Sequence, residues 1–344
     1  MKSIWNEFMK EENFFDALDK VNKSKNRKTA EGILYNKNKI LNTYILMSEL
    51  ENDTYEVSPY SEFTIYEPKE RVIFAPAHRD KIVQIALNNV LKPVFYPLFI
   101  KDSCGSIDGK GTHYAADKIQ HNMQSAKRTW SKGAYTLKLD IKKFFYSIDR
   151  EVLKSLFYKY LNDERILELL CKITDSASIM GDTGIPLGNT ISQLSSNIYL
   201  NEMDQYLKRQ HSLRYYVRYM DDVIIQVESK KKAKEVLEDA GRFAEEKLRL
   251  QLNQNKSQYY PINNCVNAIG YKIWPTHKKL RVRSKETAKN ILKTEKDPEK
   301  MKNRLASWMG SAKKANSYNF IKKNKIDETL ETLKEYNKIT QTQN

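Results

Sequence analysis

Three cysteines in 344 residues (Cys104, Cys171 and Cys265) are odd in number and far apart, which argues against both a disulfide framework and a cysteine zinc site. The five histidines, His78, His113, His121, His211 and His277, show no metal-ligand spacing and read as surface or packing residues. No apolar run approaches the ~20 residues of a membrane helix, and Met1–Glu7 lacks the apolar core of a secretion signal. No repeat of solenoid period and no Gly/Ser linker interrupts the chain. The expectation is a protein of a reducing cytoplasm with no membrane contact.

What is plentiful is positive charge and aromatic surface. Lys and Arg number 59 against 43 Asp and Glu, a formal charge of +16, and 21 Tyr, 12 Phe and 4 Trp argue against disorder. Such an excess points to a polyanionic partner, because cations that neutralise phosphates release counterions; a merely soluble basic protein is the alternative. The length allows about two domains.

Trp5 to Leu18 and Ile40 to Leu50 pattern as helices. Phe63–Glu67 and Arg71–Pro76 read as a hairpin, and Arg79 to Val94 carries apolar residues at helical spacing. A glycine-punctuated loop, Gly105 to Gly111, leads into a helix from Thr112 to Trp130. Tyr135–Asp140 reads as a strand, Asp149 as the N-cap of a helix, and Ile191 to Leu207 as a helix. Leu213 to Val227 reads as a hairpin with Asp221-Asp222 at its turn, Lys230 to Leu248 as a charged helix, and Ala268–Trp274 with Lys279–Arg283 as a second hairpin. From Lys285 the chain is helical and basic, with 14 Lys and Arg against 8 Asp and Glu, although a charge run alone is usually a solvated face.

The carboxylates carry the chemistry. Asp140 ends one apolar strand, and Asp221-Asp222 lies between Val217 and Val223-Ile224-Ile225 with no cation beside it in sequence. Like charges at a strand junction repel, and a divalent cation removes that cost. Converging hard oxygen ligands of this kind suit phosphoryl transfer with two Mg²⁺ about 3.5–4 Å apart. A solvated acidic turn is the bland alternative for an isolated Asp-Asp pair.

The segments Leu139-Asp140-Ile141-Lys142-Lys143-Phe144-Phe145, Gly184-Ile185-Pro186-Leu187-Gly188-Asn189-Thr190-Ile191-Ser192-Gln193 and Arg218-Tyr219-Met220-Asp221-Asp222 together resemble the motifs of reverse transcriptases, in family order, from about Lys69 to Tyr318. The resemblance implies an α+β right-hand polymerase fold: a helical N-terminal extension over 1–60, fingers over 61–135, a palm with an antiparallel sheet over 136–265, a primer-grip hairpin over 266–284 and a basic helical thumb over 285–344. It assigns Asp140, Asp221, Asp222 and the carbonyl of Ile141 to two Mg²⁺ ions. Phe145 matches the ring that blocks a ribose 2′-hydroxyl and so selects dNTPs, with a core aromatic beside Phe144 as the alternative. Lys69 and Arg71, and more weakly Arg79, resemble residues that clamp the triphosphate, a task suited to the guanidinium fork. Leu187, Gly188 and Gln193 fall in the loop and helix behind the incoming nucleotide. Lys256 falls where the family has a lysine near the leaving pyrophosphate, a general acid or else a surface lysine. Ile269-Gly270-Tyr271 resembles the primer grip.

The implied partners are an RNA template, a DNA primer and product, and dNTPs, with a structured non-coding RNA and an accessory protein as further candidates. No ribonuclease H domain is expected. Rival readings are an RNA polymerase, which Phe145 disfavours, and an RNA-binding scaffold, which the intact aspartates disfavour.

Many reverse transcriptases carry glutamine at the position of Leu187 and proline at that of Gln193. The variant here resembles the enzymes of bacterial diversity-generating retroelements, as do Asp102-Ser103, Gly109–His113 and the stretch from Ser307 to Tyr318, which departs at Ser311. Related stand-alone bacterial enzymes serve antiviral defence. An aliphatic Leu187 cannot hydrogen-bond a nucleotide as an amide can, which implies relaxed base selection. Leu187→Gln is therefore expected to lower the misincorporation rate in a forward-mutation assay; equal rates in the two proteins contradict the role given to Leu187.

Overall fold

The computed structural model describes residues 3–24, 28–66, 70–177 and 181–342, which gather into two compact units. Each unit draws on three separate stretches of the chain.

The first unit comprises Met1–Lys101, Ile141–Gln210 and Asp239–Asn253. Its centre is a pair of long helices, His78–Phe95 and Thr190–Gln210, packed on one another. Both bury large apolar side chains: Ile82, Leu87 and Phe95 from one, Leu194, Ile198 and Leu200 from the other. Four helices precede them: Ile4–Phe8, Glu11–Lys23, Ala30–Lys37 and Lys39–Glu51. The expected single helix from Trp5 to Leu18 is broken at Met9-Lys10, where Lys10 turns to an extended conformation (ψ 136°) and becomes the N-cap of the second helix. Two strands, β1 (Ser61–Ile65) and β2 (Arg71–Ala75), form the expected antiparallel hairpin with Phe63 opposite Ile73. Asp80, fully buried, accepts from the Tyr55 hydroxyl (2.8 Å) and the Ser58 N–H (2.9 Å), which fixes the approach to that hairpin.

Asp149 caps helix Arg150–Tyr160 as expected, accepting from the Val152 N–H at 3.0 Å. The buried Tyr199 hydroxyl accepts from the Asp149 N–H (3.3 Å) and donates to the Leu248 carbonyl (2.6 Å). One phenol thus satisfies two backbone groups that would otherwise be costly to bury.

The second unit comprises Asp102–Asp140, His211–Glu238 and Gln254–Asn344. Its main sheet is antiparallel, in the order β4 (Tyr215–Tyr219), β5 (Asp222–Val227), β3 (Tyr135–Leu139), β6 (Gln258–Pro261). The interior strands β5 and β3 bury an apolar core of Val223, Ile224, Ile225 and Val227 with Leu137 and Leu139, and with it the polar Thr136 and Gln226. Helix Thr112–Trp130 covers the sheet, burying Ala115, Ile119, Met123 and Ala126. A separate meander, β7 (Val266–Ala268), β8 (Tyr271–Ile273) and β9 (Lys278–Leu280), shares a core with helices Val282–Thr294 and Pro298–Ala312 through Ala268, Ile273, Leu280, Ile291 and Leu305. Two more helices, Tyr318–Lys323 and Ile326–Thr342, follow.

The continuous strand expected from Ala268 to Trp274 does not form. Ile269 (φ 50°) and Gly270 (φ 81°) both lie in the left-handed region and make a two-residue turn closed by the Ala268–Tyr271 pair. That is the conformation tight hairpins require at both central positions. The mixed architecture of helices and antiparallel sheets agrees with the α+β expectation. No described helix is long and apolar enough to cross a membrane.

Candidate active site

The acidic residues of the second unit converge because of strand pairing. β3 and β5 are neighbours with Leu139 opposite Val223, so Asp140, the next residue, emerges beside the β4–β5 turn. Tyr219 pairs with Asp222 across that turn, leaving Met220 and Asp221 as its two tip residues. Met220 sits at φ 55°, and Gly105 lies so close beneath it that a Cβ on Gly105 would fall 2.5 Å from the Met220 nitrogen. Only glycine tolerates that approach. Segment 102–104 is stitched to β4 by the Arg218 N–H to the Asp102 carbonyl (3.0 Å) and the Cys104 N–H to the Arg218 carbonyl (2.8 Å). The fully buried Arg218 guanidinium also donates to the Met220 carbonyl (3.3 Å).

Asp140 is 8 % exposed, and its backbone is clamped by one side chain. The Ser257 hydroxyl accepts from the Asp140 N–H (3.1 Å) and donates to the Asp140 carbonyl (3.2 Å). Lys256 Nζ donates to both carboxylate oxygens of Asp140, at 3.0 and 3.3 Å. Lys138 Nζ lies 2.9 Å from Asp222 Oδ1. Asp221 has no ion pair of its own among the described residues. Burial first, then the negative charges of Asp222 and Asp140, push its pKa up to about 6, against a smaller opposing pull from Lys256.

This crowding of three hard oxygen donors is what a divalent cation relieves, and the donor set fits magnesium. Among the described residues no three or more His, Cys, Asp or Glu side chains stand gathered as a ready metal cluster. The physical reason is visible in two of the three acids: Asp140 is paired with Lys256, and Asp222 with Lys138.

In the first unit the residues expected at the nucleotide fall into two groups. The β2 strand, the short helix Phe144–Ser147 and the loop at 184–188 are tied together. Phe74 N–H donates to the Leu187 carbonyl (3.1 Å), Ile185 N–H to the Phe145 carbonyl (2.9 Å), and the Tyr146 hydroxyl to the Val72 carbonyl (3.3 Å). Gly188, at φ 104°, lies against Ile73, where an added Cβ would come within 3.0 Å of the Ile73 side chain. Arg71 is exposed at the start of β2, Leu187 is half-buried, and Gln193 is exposed on its helix. Phe144 is buried while Phe145 remains half-exposed, so Phe144 takes the core place.

Arg79 is held elsewhere, forming an ion pair with Glu49, stacking over the Tyr55 ring at 5.4 Å and lining a cavity of about 420 Å³ with His78. Lys69 lies outside the described residues. Ile141 is buried and bridges to Leu252. Ile269 and Gly270 form the β7–β8 turn, and the Tyr271 hydroxyl donates to the Ser311 carbonyl (3.0 Å), with His113 Nδ1 also 3.0 Å away. Sequence reading missed Lys138, Ser257 and strand β6. Their signals were the lysine two residues before Asp140, on the same face of the strand, and the Ser257 adjacent to Lys256.

Comparison with known proteins accords with this geometry. The family described as reverse transcriptase (RNA-dependent DNA polymerase) matches residues 66–273. Protein YkfC of Escherichia coli (strain K12) is 26% identical over 292 residues, covering 73% of this chain and 74% of that protein. The retron Ec73 reverse transcriptase of Escherichia coli is 25% identical over 181 residues, covering 49% of this chain and 52% of that enzyme. Among solved structures, apo telomerase from Candida tropicalis superposes with a TM-score of 0.50 at 15% identity, covering 80% of this chain and 62% of that one. The chain therefore spans about three quarters of one relative but only about half of the retron enzyme.

The raised pKa of Asp221 has a definite sign. Its carboxyl is easier to ionise in the unfolded chain, so the stability it confers is full below about 3.8 and is lost as pH rises through about 6. In EDTA at pH 7.5, Asp221→Asn is expected to stabilise the protein by about 2–3 kcal/mol in chemical denaturation, with the gain shrinking toward pH 4. An equal gain at both pH values contradicts the raised pKa of Asp221.

Proposed function

The chain belongs to the reverse transcriptase family, and on that footing we propose that it copies an RNA template into DNA by adding dNTPs to a primer, with two Mg²⁺ ions at Asp140, Asp221 and Asp222. The observation that carries this reading is the convergence of those three carboxylates at the ends of β3 and β5, where the charges of Asp222 and Asp140 add to burial in raising the proton affinity of Asp221. The bound metals supply activation of the primer hydroxyl and neutralisation of the leaving pyrophosphate.

The chain's own residues do the rest. Ser257 fixes the backbone of Asp140, and the Gly105–Met220 contact fixes the turn that presents Asp221. The carbonyl of Ile141 is an added ligand. Lys256, already within reach of Asp140, has the freedom of a half-exposed side chain to move toward a leaving pyrophosphate and protonate it. Arg71, with Lys69, pairs with the triphosphate. Phe145, half-exposed beside the 184–188 loop, denies space to a 2′-hydroxyl, while Leu187, Gly188 and Gln193 border the base. Arg79 is a support for the N-terminal helices through Glu49. The Ile269-Gly270-Tyr271 turn holds the primer end. In domain terms, 1–60 is a helical extension, 61–135 fingers, 136–265 palm and 285–344 thumb. The basic surplus of the last segment suits the backbone of an RNA–DNA duplex, whose binding falls steeply with salt.

The biological role is antiviral defence or a diversity-generating retroelement, with a cytoplasmic location, and a structured non-coding RNA or an accessory protein joins the extension. The departures at Leu187 and Gln193 support this pairing of roles, and the neighbouring genes discriminate between them. Primer extension on an RNA template with Mg²⁺, supplying dNTPs and NTPs separately, tests the activity. Extension by dNTPs alone, abolished in Asp221→Ala/Asp222→Ala, is expected. Incorporation of NTPs overturns the role of Phe145, and extension unaffected by the double substitution overturns the site.

A further inference from the structure

Lys138 has no part in the reading above, yet its environment is unusual for a lysine. It lies on β3 two residues before Asp140, so both side chains leave the same face of the strand. Its cross-strand partners are Ile224 on β5 and Gln258 on β6, and its side chain is only 15 % exposed. An ammonium so enclosed pays a desolvation cost that an apolar residue on the same strand would avoid. Two contacts offset it: Nζ lies 2.9 Å from Asp222 Oδ1 and donates to the Asn267 carbonyl at 3.0 Å.

The contact with Asp222 has the distance of an ion pair without the alignment of a hydrogen bond, and Asp222 Oδ1 is buried with no hydrogen-bond partner among the described residues. Charge, not direction, is what Lys138 supplies there. Lys256 supplies the same to Asp140 at 3.0 Å, so two of the three carboxylates each hold one ammonium, while the half-buried Arg281 guanidinium adds a weaker attraction to Asp222. Both lysines border one cavity of about 670 Å³, also lined by the amides of Asn255, Gln258 and Asn267.

We infer that Lys138 is a positioning residue that stands in for metal charge at Asp222: it holds the carboxylate in place when the centre is empty and competes with the divalent cation for it. This rests on the proposed role of Asp222 as a metal ligand. A cation arriving at Asp222 repels the ammonium, which has somewhere to go because the adjoining cavity is roomy and lined with amide-bearing residues. The Asn267 carbonyl anchors the lysine in the empty state. Asn267 precedes the Ile269-Gly270 turn on β7, so the same ammonium ties the carboxylate to the strand that leads into the primer-grip turn.

Mn²⁺ serves as the probe, its free concentration followed by electron paramagnetic resonance during titration of the wild type, Lys138→Met, Lys138→Gln and Asp222→Asn. Lys138→Met is expected to bind Mn²⁺ about two- to fivefold more tightly than the wild type, the size of a partly exposed ion pair. Its thermal midpoint is expected to fall in EDTA and to recover toward the wild type in Mn²⁺. Lys138→Gln keeps a donor for the Asn267 carbonyl, and the same tightening in it guards against a folding defect in the Met variant. Unchanged or weaker Mn²⁺ binding in both variants, with binding lost in Asp222→Asn, overturns the role of Lys138 alone. Undiminished binding in Asp222→Asn overturns the metal reading on which it stands.

Discussion

Three carboxylates held closer together than their charges favour are the constraint around which the second unit is organised. Strand pairing makes it unavoidable: β3 next to β5 in this register sets Asp140 beside the Asp221-Asp222 turn. Burial first, and then repulsion from Asp222 and Asp140, raise the pKa of Asp221, while the other two acids are paired with Lys256 and Lys138. On the proposed reading, the two ammonium groups hold these oxygen donors in place where a divalent cation would bind them.

Around that constraint the backbone is held by contacts of little chemical interest in themselves. Gly105 admits Met220, and Ser257 grips both backbone groups of Asp140. The Ile269-Gly270 turn places a β-branched residue at positive φ, a conformation that costs of order 1–3 kcal/mol and persists where the surroundings enforce it. Here Ile269 is buried in the core shared with the following helices, and Tyr271 is pinned by Ser311. In the first unit the same economy ties β2, the Phe145 helix and the Leu187 loop through two backbone contacts and the Tyr146 hydroxyl.

Much of this was legible in the sequence because it rests on local pattern. Helices Thr112–Trp130 and Lys230–Leu248, the cap at Asp149 and the two hairpins around Arg71 and Asp221 carry strong periodic or turn signals, and the three acids stand out chemically. What escaped depends on partners distant in sequence. Strand β6, Gln258–Pro261, is a half-exposed edge strand ending in proline and has little apolar pattern of its own. The β7–β8 turn begins with isoleucine, which no propensity assigns to a left-handed position. Lys138 looks like any basic residue until β5 brings Asp222 to it, and the pairing of Arg79 with Glu49 leaves no trace in local pattern.

The most direct test is anomalous diffraction from crystals of the protein with a primer–template, a non-hydrolysable dNTP and Mn²⁺. Two peaks bounded by Asp140 and the Asp221-Asp222 turn, with Lys138 withdrawn from Asp222, are the expected result. Ordered nucleic acid and nucleotide with no metal peak at these carboxylates would contradict the assignment of Asp140, Asp221 and Asp222 as the metal-binding centre.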